Sequence, residues 1–147
     1  VPITSPDGSQ AVAAYRNPKT TDLVPAGDCL TGGPSDDPQS WWRQCEVGAA
    51  SLEPWSPSGG RLLLRGTTSD GPGPSWLRVV DPSTGRQEGE VDPGGILAGA
   101  AWADEDTVFA LTFDDSSPTV MIKRCEIGTG TCADARRVPD SAVLGTR

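Results

Sequence analysis

The sequence contains no histidine, and this absence excludes several classes of chemistry at once. It excludes serine and cysteine hydrolases that use an imidazole base, and zinc sites with histidine ligands. The hydrolase motif Gly-x-Ser-x-Gly does not occur, and no glycine-rich loop leads into a helix to hold phosphate. The sequence therefore predicts no cofactor.

Positive charge is also scarce. Twelve Lys and Arg oppose 20 Asp and Glu, which gives a net charge of −8 among 147 residues. Nucleic-acid binding requires clustered basic residues, and the lone pair Arg136-Arg137 is too small for that role. No apolar run approaches the roughly 18 residues of a membrane span. We therefore expect neither a nucleic-acid partner nor a transmembrane segment within this sequence.

Glycine and proline are abundant, with 18 and 14 copies, and they alternate with short apolar runs. The apolar runs are residues 61–65, 76–80, 107–111 and 120–122, each bounded by Gly, Pro, Asp or Ser. This pattern indicates short strands separated by turns rather than disorder. No window holds a helical period free of Gly or Pro, so an all-β fold with almost no helix is predicted.

The four cysteines form an even set. Cys125 and Cys132 flank a turn sequence, while Cys29 and Cys45 flank residues 30–44, which we interpret as a long loop. Four cysteines allow three connectivities, and free buried thiols or a metal site are the alternatives. We favour the two local disulfides, because neither pair has zinc spacing. Disulfides imply an oxidising, extracytoplasmic compartment.

Three segments of the chain resemble one another. They begin at Thr4, Trp55 and Trp102, at spacings of 51 and 47 residues, and in each a turn is followed by an apolar strand. The third departs from the others, because residues 103–106 are Ala-Asp-Glu-Asp where Ser-Pro-Asp-Gly is expected. Downstream, residues 80–85 match 125–130 around a Thr-Gly turn, with a partial echo at 45–48. A period of this length is typical of propeller blades.

Three short segments carry a family resemblance: Ser5-Pro6-Asp7-Gly8, Trp55-Ser56-Pro57-Ser58-Gly59 and Val80-Asp81-Pro82-Ser83-Thr84-Gly85. They resemble the repeats of TolB-type, WD40-like β-propellers, in particular secreted or membrane-anchored actinobacterial members. Cysteines before and after the Thr-Gly turn of such repeats are similar to Cys125 and Cys132. The resemblance implies a propeller fold and names no activity.

We predict a single domain, residues 1–147, built from three four-stranded blades. Their strands are 1–4, 10–16, 20–26 and 41–47; then 51–55, 61–67, 75–81 and 86–91; then 96–102, 107–113, 118–126 and 132–138. The blades thus cover about 1–47, 51–91 and 96–138. Both cysteine pairs then fall at the same place, between the third and outer strands.

Three blades do not close a ring, since propellers have about four to eight. We therefore expect either a fragment of a longer propeller or a homodimer that completes a six-bladed ring.

Tryptophan supplies the candidate binding surface, formed by Trp41, Trp42 and Trp76, because exposed indoles anchor ligands and partners. The alternative is packing, since neighbouring strand residues point to opposite faces and one of Trp41 and Trp42 would be core. Trp55 and Trp102 occupy repeat positions and are predicted to be core.

Acidic groups occur at 36–37, 104–106 and 114–115. Paired carboxylates can cleave glycosidic bonds or hold Ca²⁺. We interpret these groups as solvated turns and expect no metal site, because no calcium loop is present and residues 104–106 run directly into a strand.

These observations favour a non-enzymatic, extracytoplasmic binding or interaction module that uses a propeller face or rim to bind a protein or another extracellular ligand. One alternative is a secreted propeller-type enzyme acting on carbohydrate through paired carboxylates. Another is the sensor domain of a larger membrane-anchored protein. Because the sequence begins at Val1, we expect a processed or truncated product, secreted or anchored through a segment outside this sequence.

Overall fold

The computed structural model describes residues 2–21, 23, 27–68, 73–114 and 119–139. These residues form twelve β-strands and one short 3-10 turn, Pro38–Ser40, and they contain no α-helix. The strands make three four-stranded antiparallel sheets. The all-β prediction and the number of strands per sheet are therefore confirmed. No helix in the described part of the chain has the length and apolar character needed to cross a membrane.

Within each sheet, neighbouring strands are consecutive in sequence. The first sheet contains β1 (Ile3–Thr4), β2 (Gln10–Tyr15), β3 (Cys29–Pro34) and β4 (Trp42–Cys45). The second contains β5 (Val47–Ala49), β6 (Leu62–Gly66), β7 (Leu77–Val80) and β8 (Gln87–Val91). The third contains β9 (Ile96–Trp102), β10 (Thr107–Phe113), β11 (Thr119–Glu126) and β12 (Thr131–Pro139). Most boundaries lie close to the predicted ones, and two strands differ.

The third strand of the first sheet is Cys29–Pro34, and not the predicted 20–26. The described residues of 20–26 are not in a strand, and residues 22 and 24–26 lie outside the described residues. The interpretation of 30–44 as a long loop is therefore wrong. Its Gly-Gly-Pro sequence is typical of a turn, but Gly32 is needed for packing: a Cβ there would lie 2.6 Å from Val12 and 2.8 Å from the indole of Trp42.

The inner strand of the second sheet begins at Val47, and not at the predicted 51–55. The chain leaves the sheet at 51–53 and returns at Trp55, which forms an isolated bridge with Leu62. The echo at 45–48 is therefore not a hairpin turn. It is the direct passage from the first sheet to the second, and Glu46 makes the change of direction with a left-handed φ of 62°.

The second sheet lies between the other two and is buried on both faces. Leu62 and Leu64 of β6 pack towards the first sheet, in a cluster that includes Val12. Leu63 points the opposite way and packs with Val108 of the third sheet. All five side chains are completely buried. Strand alternation thus explains why three consecutive leucines are retained: each face of β6 has its own sheet to cover.

Both predicted disulfides are present, Cys29–Cys45 between β3 and β4 and Cys125–Cys132 between β11 and β12. Each joins directly opposed residues, with Cα atoms 3.9 and 4.0 Å apart. Both bonds join the third strand of a sheet to its fourth, but they lie at opposite ends of the strand pair. Cys125 lies beside the hairpin turn, whereas Cys29 begins its strand at the end away from the β3–β4 connection. Two disulfides indicate an oxidising, extracytoplasmic setting.

Removal of the two disulfides should cost unequal amounts of stability. The Cys29–Cys45 bond closes a separation of 16 residues and the Cys125–Cys132 bond one of seven. Replacing both cysteines of a pair with serine is expected to lower the free energy of unfolding by about 3 kcal/mol for the first pair and about 2 kcal/mol for the second. Urea titration of the two double variants measures the difference, and equal or reversed losses would contradict the loop-length argument.

Truncation of the doubly packed strand should be severe. Leu63→Ala is expected to lower the free energy of unfolding by about 2–5 kcal/mol, because it leaves a cavity between two sheets. Leu52→Ala is the matched control, since Leu52 is 83% exposed. Urea titration should show no change for the control, and similar losses for the two variants would refute the assigned packing.

Candidate functional site

A cleft of about 950 Å³ lies where the innermost strands of the three sheets come together. Its walls are β1 of the first sheet, the segment 50–57 of the second and β9 of the third. This volume lies within the usual range of small-molecule and peptide pockets. The lining residues are Ile3, Thr4, Pro6, Ala50, Ser51, Leu52, Glu53, Trp55, Ser56, Pro57, Ala98, Gly99, Ala100, Ala101, Trp102, Ala103, Phe109 and Leu111.

The cleft is apolar and is formed largely by small side chains. The β9 wall presents Ala98, Gly99 and Ala101, and a Cβ added at Gly99 would meet no atom within 4 Å. Leu52, in the segment where the chain leaves the second sheet, is strongly exposed beside the cleft. Glu53 is the one ionisable side chain among the lining residues. The arrangement therefore suits an apolar ligand and offers a single carboxylate.

β9 is also the edge of its sheet. It pairs with β10 on one side, and no described strand pairs with it on the other. Its seven residues contain no charge and no proline, which are the features that normally protect an exposed edge. The Leu97 carbonyl of β9 already accepts a hydrogen bond from the Arg65 guanidinium at 3.0 Å. An extended chain in the cleft could hydrogen-bond to the rest of this edge.

Trp55 and Trp102, the tryptophans at the repeat positions, lie between the cleft and the core. Trp102 and Trp55 are 7% and 9% exposed, as expected for core positions. The Trp102 indole N–H donates to the Pro54 carbonyl at 2.9 Å, which ties the third sheet to the second. The Trp55 indole N–H is buried without a hydrogen-bond partner among the described residues. Both side chains belong to the core clusters and also line the cleft.

The predicted repeat is also a structural unit, because its first two turns have the same hydrogen bonds. The Ser5 hydroxyl accepts the Gln10 N–H at 3.0 Å, and the Ser5 carbonyl accepts the Gly8 N–H at 2.9 Å. Ser56 forms the same two bonds at 3.1 and 2.8 Å, with the residues five and three positions later. Gly8 and its counterpart Gly59 have φ of 74° and 78°, which glycine adopts without strain.

The third turn also connects the inner strand to the second strand of its sheet, but through different hydrogen bonds. Ala103 has no hydroxyl, and its N–H donates to the Thr107 carbonyl at 2.9 Å, which makes the turn one residue shorter. The Asp104 carboxylate accepts the Asp106 N–H at 2.9 Å. This backbone hydrogen bond holds the pKa of Asp104 below its ordinary value.

The acidic residues of this turn connect the second and third sheets. The Glu105 carboxylate accepts the Ser58 N–H, and Arg61 donates to the Glu105 carbonyl at 2.8 Å and pairs with Asp106 at 3.2 Å. Partial burial acts to raise the pKa of Glu105, but hydrogen bonds from Ser58 and Ser56 and the charge of Arg61 together outweigh it, so the pKa lies below its ordinary value. The carboxylates of Glu105 and Asp106 therefore form contacts between the second and third sheets.

The other acidic groups do not enter the cleft. Asp36 and Asp37 are exposed in the β3–β4 connection, and Asp114 is exposed, while Asp115 lies outside the described residues. Across the described ranges, no three Cys, Asp or Glu side chains come together as a metal site. In that same part of the chain, Glu53 has no second carboxylate beside it in the cleft. Paired-carboxylate chemistry therefore gains no geometric support there.

Trp42 and Trp76, two of the three candidate binding residues, are half-buried and pack against the cluster between the first and second sheets. The Trp42 indole N–H donates to the Pro82 carbonyl at 2.8 Å, and the Arg78 guanidinium lies 4.1 Å from the Trp76 ring centre. Both side chains thus hold sheets together, and neither lines the cleft.

Trp41 points to the opposite face of the first sheet. Its indole lies over Gly33, and its N–H donates to the Pro34 carbonyl at 2.6 Å. The packing alternative, in which Trp41 and Trp42 take opposite faces, therefore describes this pair. The three tryptophans do not form one surface, and a binding role for them stays a prediction.

Hydrogen bonds should set the acidity of the first repeat turn. The Ser9 N–H and the Ser5 and Ser9 hydroxyls donate to the Asp7 carboxylate and lower its pKa from 3.8 to about 2. Because the folded pKa is depressed, this contribution to stability is present above the unfolded pKa and is lost as pH falls towards the folded pKa. We expect an NMR titration of the Asp7 carboxyl to have its midpoint near pH 2.

Ser9→Ala should raise that midpoint, since it removes one of the donors. Ser40→Ala is the matched control, because the Ser40 hydroxyl donates to the Asp37 carbonyl in a different turn. A wild-type midpoint near 3.8 would contradict the hydrogen-bonded turn.

No model of a known protein family matches the chain, and a search of curated proteins also finds no match. A functional assignment for this chain therefore depends on the geometry of its cleft and of its sheets.

Proposed function

We propose that this chain is a non-enzymatic, extracytoplasmic binding module of β-propeller type, and that its ligand occupies the cleft between the inner strands. The observation that carries the proposal is the cleft itself, which all three sheets line with apolar residues. A protein partner that contributes an extended apolar segment is the ligand class that fits it best.

Propeller character is supported by the way the sheets repeat. Each has four strands in sequence order, and successive sheets pack face to face through the two clusters around β6. The first two repeats enter their second strand through the same serine-centred turn. In a propeller the inner strands surround a central channel. The cleft is lined by inner strands and would occupy that channel position.

The chemistry of the ligand follows from the walls of the cleft. Apolar lining favours apolar side chains, and the unpaired edge of β9 favours an extended backbone that adds to the sheet. Glu53 and the net charge of −8 favour a neutral or basic segment over an acidic one. The two disulfides favour a partner outside the cytoplasm, where the module would be secreted or anchored.

Filling the cleft should block binding of an apolar probe. Nile red is neutral and fluoresces in apolar surroundings, so its fluorescence titration measures occupancy. Gly99→Leu is expected to weaken dye binding about tenfold, equivalent to about 1.4 kcal/mol, because its side chain enters open space inside the cleft. Gly128→Leu is the matched control, since a Cβ at that exposed turn position also meets no atom within 4 Å. Equal weakening, or none with either variant, would refute the cleft as the site.

The charge preference is tested with two short valine-alanine peptides that differ in one end residue. The peptide ending in lysine should displace Nile red at lower concentration than the peptide ending in glutamate, and Glu53→Gln should reduce the difference. Equal displacement by both peptides would contradict the role assigned to Glu53.

A further inference from the structure

The third sheet has an apolar face that no described sheet covers. Val108 and Ala110 of β10 pack against the second sheet, so alternation directs Phe109 and Leu111 to the other side. Ile122, opposite Leu111 in the β10–β11 pairing, shares that side. Phe109 and Ile122 are only half-buried, whereas Leu111 between them is buried, and Phe109 and Leu111 also line the cleft. We call this surface, formed by Phe109, Leu111 and Ile122, the trailing face.

The trailing face has counterparts inside the molecule, at the same register in each sheet. On the second strand of the three sheets, the counterparts are, in order, Val12, Leu63 and Phe109. On the third strand, they are Leu30, Leu77 and Ile122. In the first two sheets these four residues are 0–2% exposed and pack against the next sheet. The third sheet therefore presents the positions that elsewhere receive a following sheet.

The first sheet presents the opposite set of positions. Ala13 of β2 is the counterpart of Leu64 and Ala110, which pack against the preceding sheet and are fully buried. Ala13 itself is half-buried, because no described sheet precedes it. Ala11 and Gly33 lie on the same side, with the Trp41 indole over Gly33. We call this surface, formed by Ala11, Ala13, Gly33 and Trp41, the leading face.

The two faces are complementary in size. Stacked sheets lie about 10 Å apart, and protein interiors pack at a nearly constant density, so large side chains on one face require small ones opposite. Between the second and third sheets, the large Leu63 and Leu77 meet Val108 and the small Ala110. Between the first and second sheets, Val12 and Leu30 meet Leu62 and Leu64. The trailing face is large, and the leading face is mostly small beyond the Trp41 ring. Two arginines lie on the same side of the third sheet. Arg124, the counterpart of Val79, is paired with Glu126 at 3.0 Å, and the exposed Arg136 lies opposite Ile122 on β12.

We propose that the trailing face packs against the leading face of a second copy of this chain, and that two such contacts close a ring of six sheets. A head-to-tail contact forms a ring when its rotation closes. Six sheets fall within the range of known propellers. The counterparts of Ile122 and Ala13 share a core cluster at both internal contacts, Leu30 with Leu64 and Leu77 with Ala110. The contact would also cover the half-exposed Trp41 ring. Because the trailing face shares Phe109 and Leu111 with the cleft, the contact is tested at Ile122 and Ala13, which do not line the cleft.

Sedimentation equilibrium of the purified chain and three variants tests the contact. The wild type should have twice the chain mass, and Ile122→Glu and Ala13→Lys should each sediment as monomers. Met121→Glu is the matched control, because Met121 neighbours Ile122 on β11, is equally half-buried and points to the other face. It should remain dimeric. Circular dichroism of each variant establishes that the strands have formed.

Mixing the two monomeric variants is the decisive step. In a head-to-tail ring the mixed dimer has one wild-type contact and one contact in which the introduced glutamate faces the introduced lysine, so equimolar mixing should restore the dimer. A monomeric wild type, as expected if the faces instead meet further sheets of a longer chain, would overturn the proposal. Dimeric single variants, or a mixture that stays monomeric, would overturn it as well. Nile red binding is measured separately, so failure here leaves the cleft proposal intact.

Discussion

The structure depends on the burial of one strand from both sides. β6 holds Leu62, Leu63 and Leu64 in succession, and all three are completely buried because a different sheet covers each face. Among the described residues, the first and third sheets each pack against a single neighbour, so neither is enclosed in this way. The second sheet therefore fixes the positions of the other two. The cleft exists because the second sheet holds the inner strands of the first and third sheets close to its own.

The sequence is a good guide wherever the determining interaction is local. Turns with serine, proline and glycine constrain their own backbone, so the repeats around Ser5 and Ser56 are recognisable, as are most strands beside them. The cysteine pairs are predictable for the same reason. The prediction is wrong at Cys29–Pro34, because Gly32 is required by Val12 and by the Trp42 indole, which are distant in sequence. Glycine there indicates close packing, and local pattern cannot distinguish this from a turn.

The candidate site is less predictable than the fold, for a physical reason. The cleft is created by what side chains do not fill, chiefly Ala98, Gly99 and Ala101 on the edge strand β9. Small apolar residues carry no chemical signature in a sequence, whereas tryptophan does. A search for exposed indoles therefore selects Trp42 and Trp76 as binding residues, although their rings pack between the first and second sheets.

A repeated unit that stacks face to face necessarily ends in two unlike surfaces. Each internal contact is made between one side of a sheet and the opposite side of the next, so the last sheet retains one kind of face and the first sheet the other. Interspersed charge on such faces protects them from association, and the side of the third sheet that holds the trailing face carries three charged residues, the Arg124–Glu126 pair and Arg136 at its outer strand. The net charge of −8 resides elsewhere on the chain and opposes indiscriminate contact between copies. Repulsion over most of the surface and matched apolar faces at its two ends together favour one mode of association. In that mode each exposed position gains the environment that its counterparts already have inside the molecule.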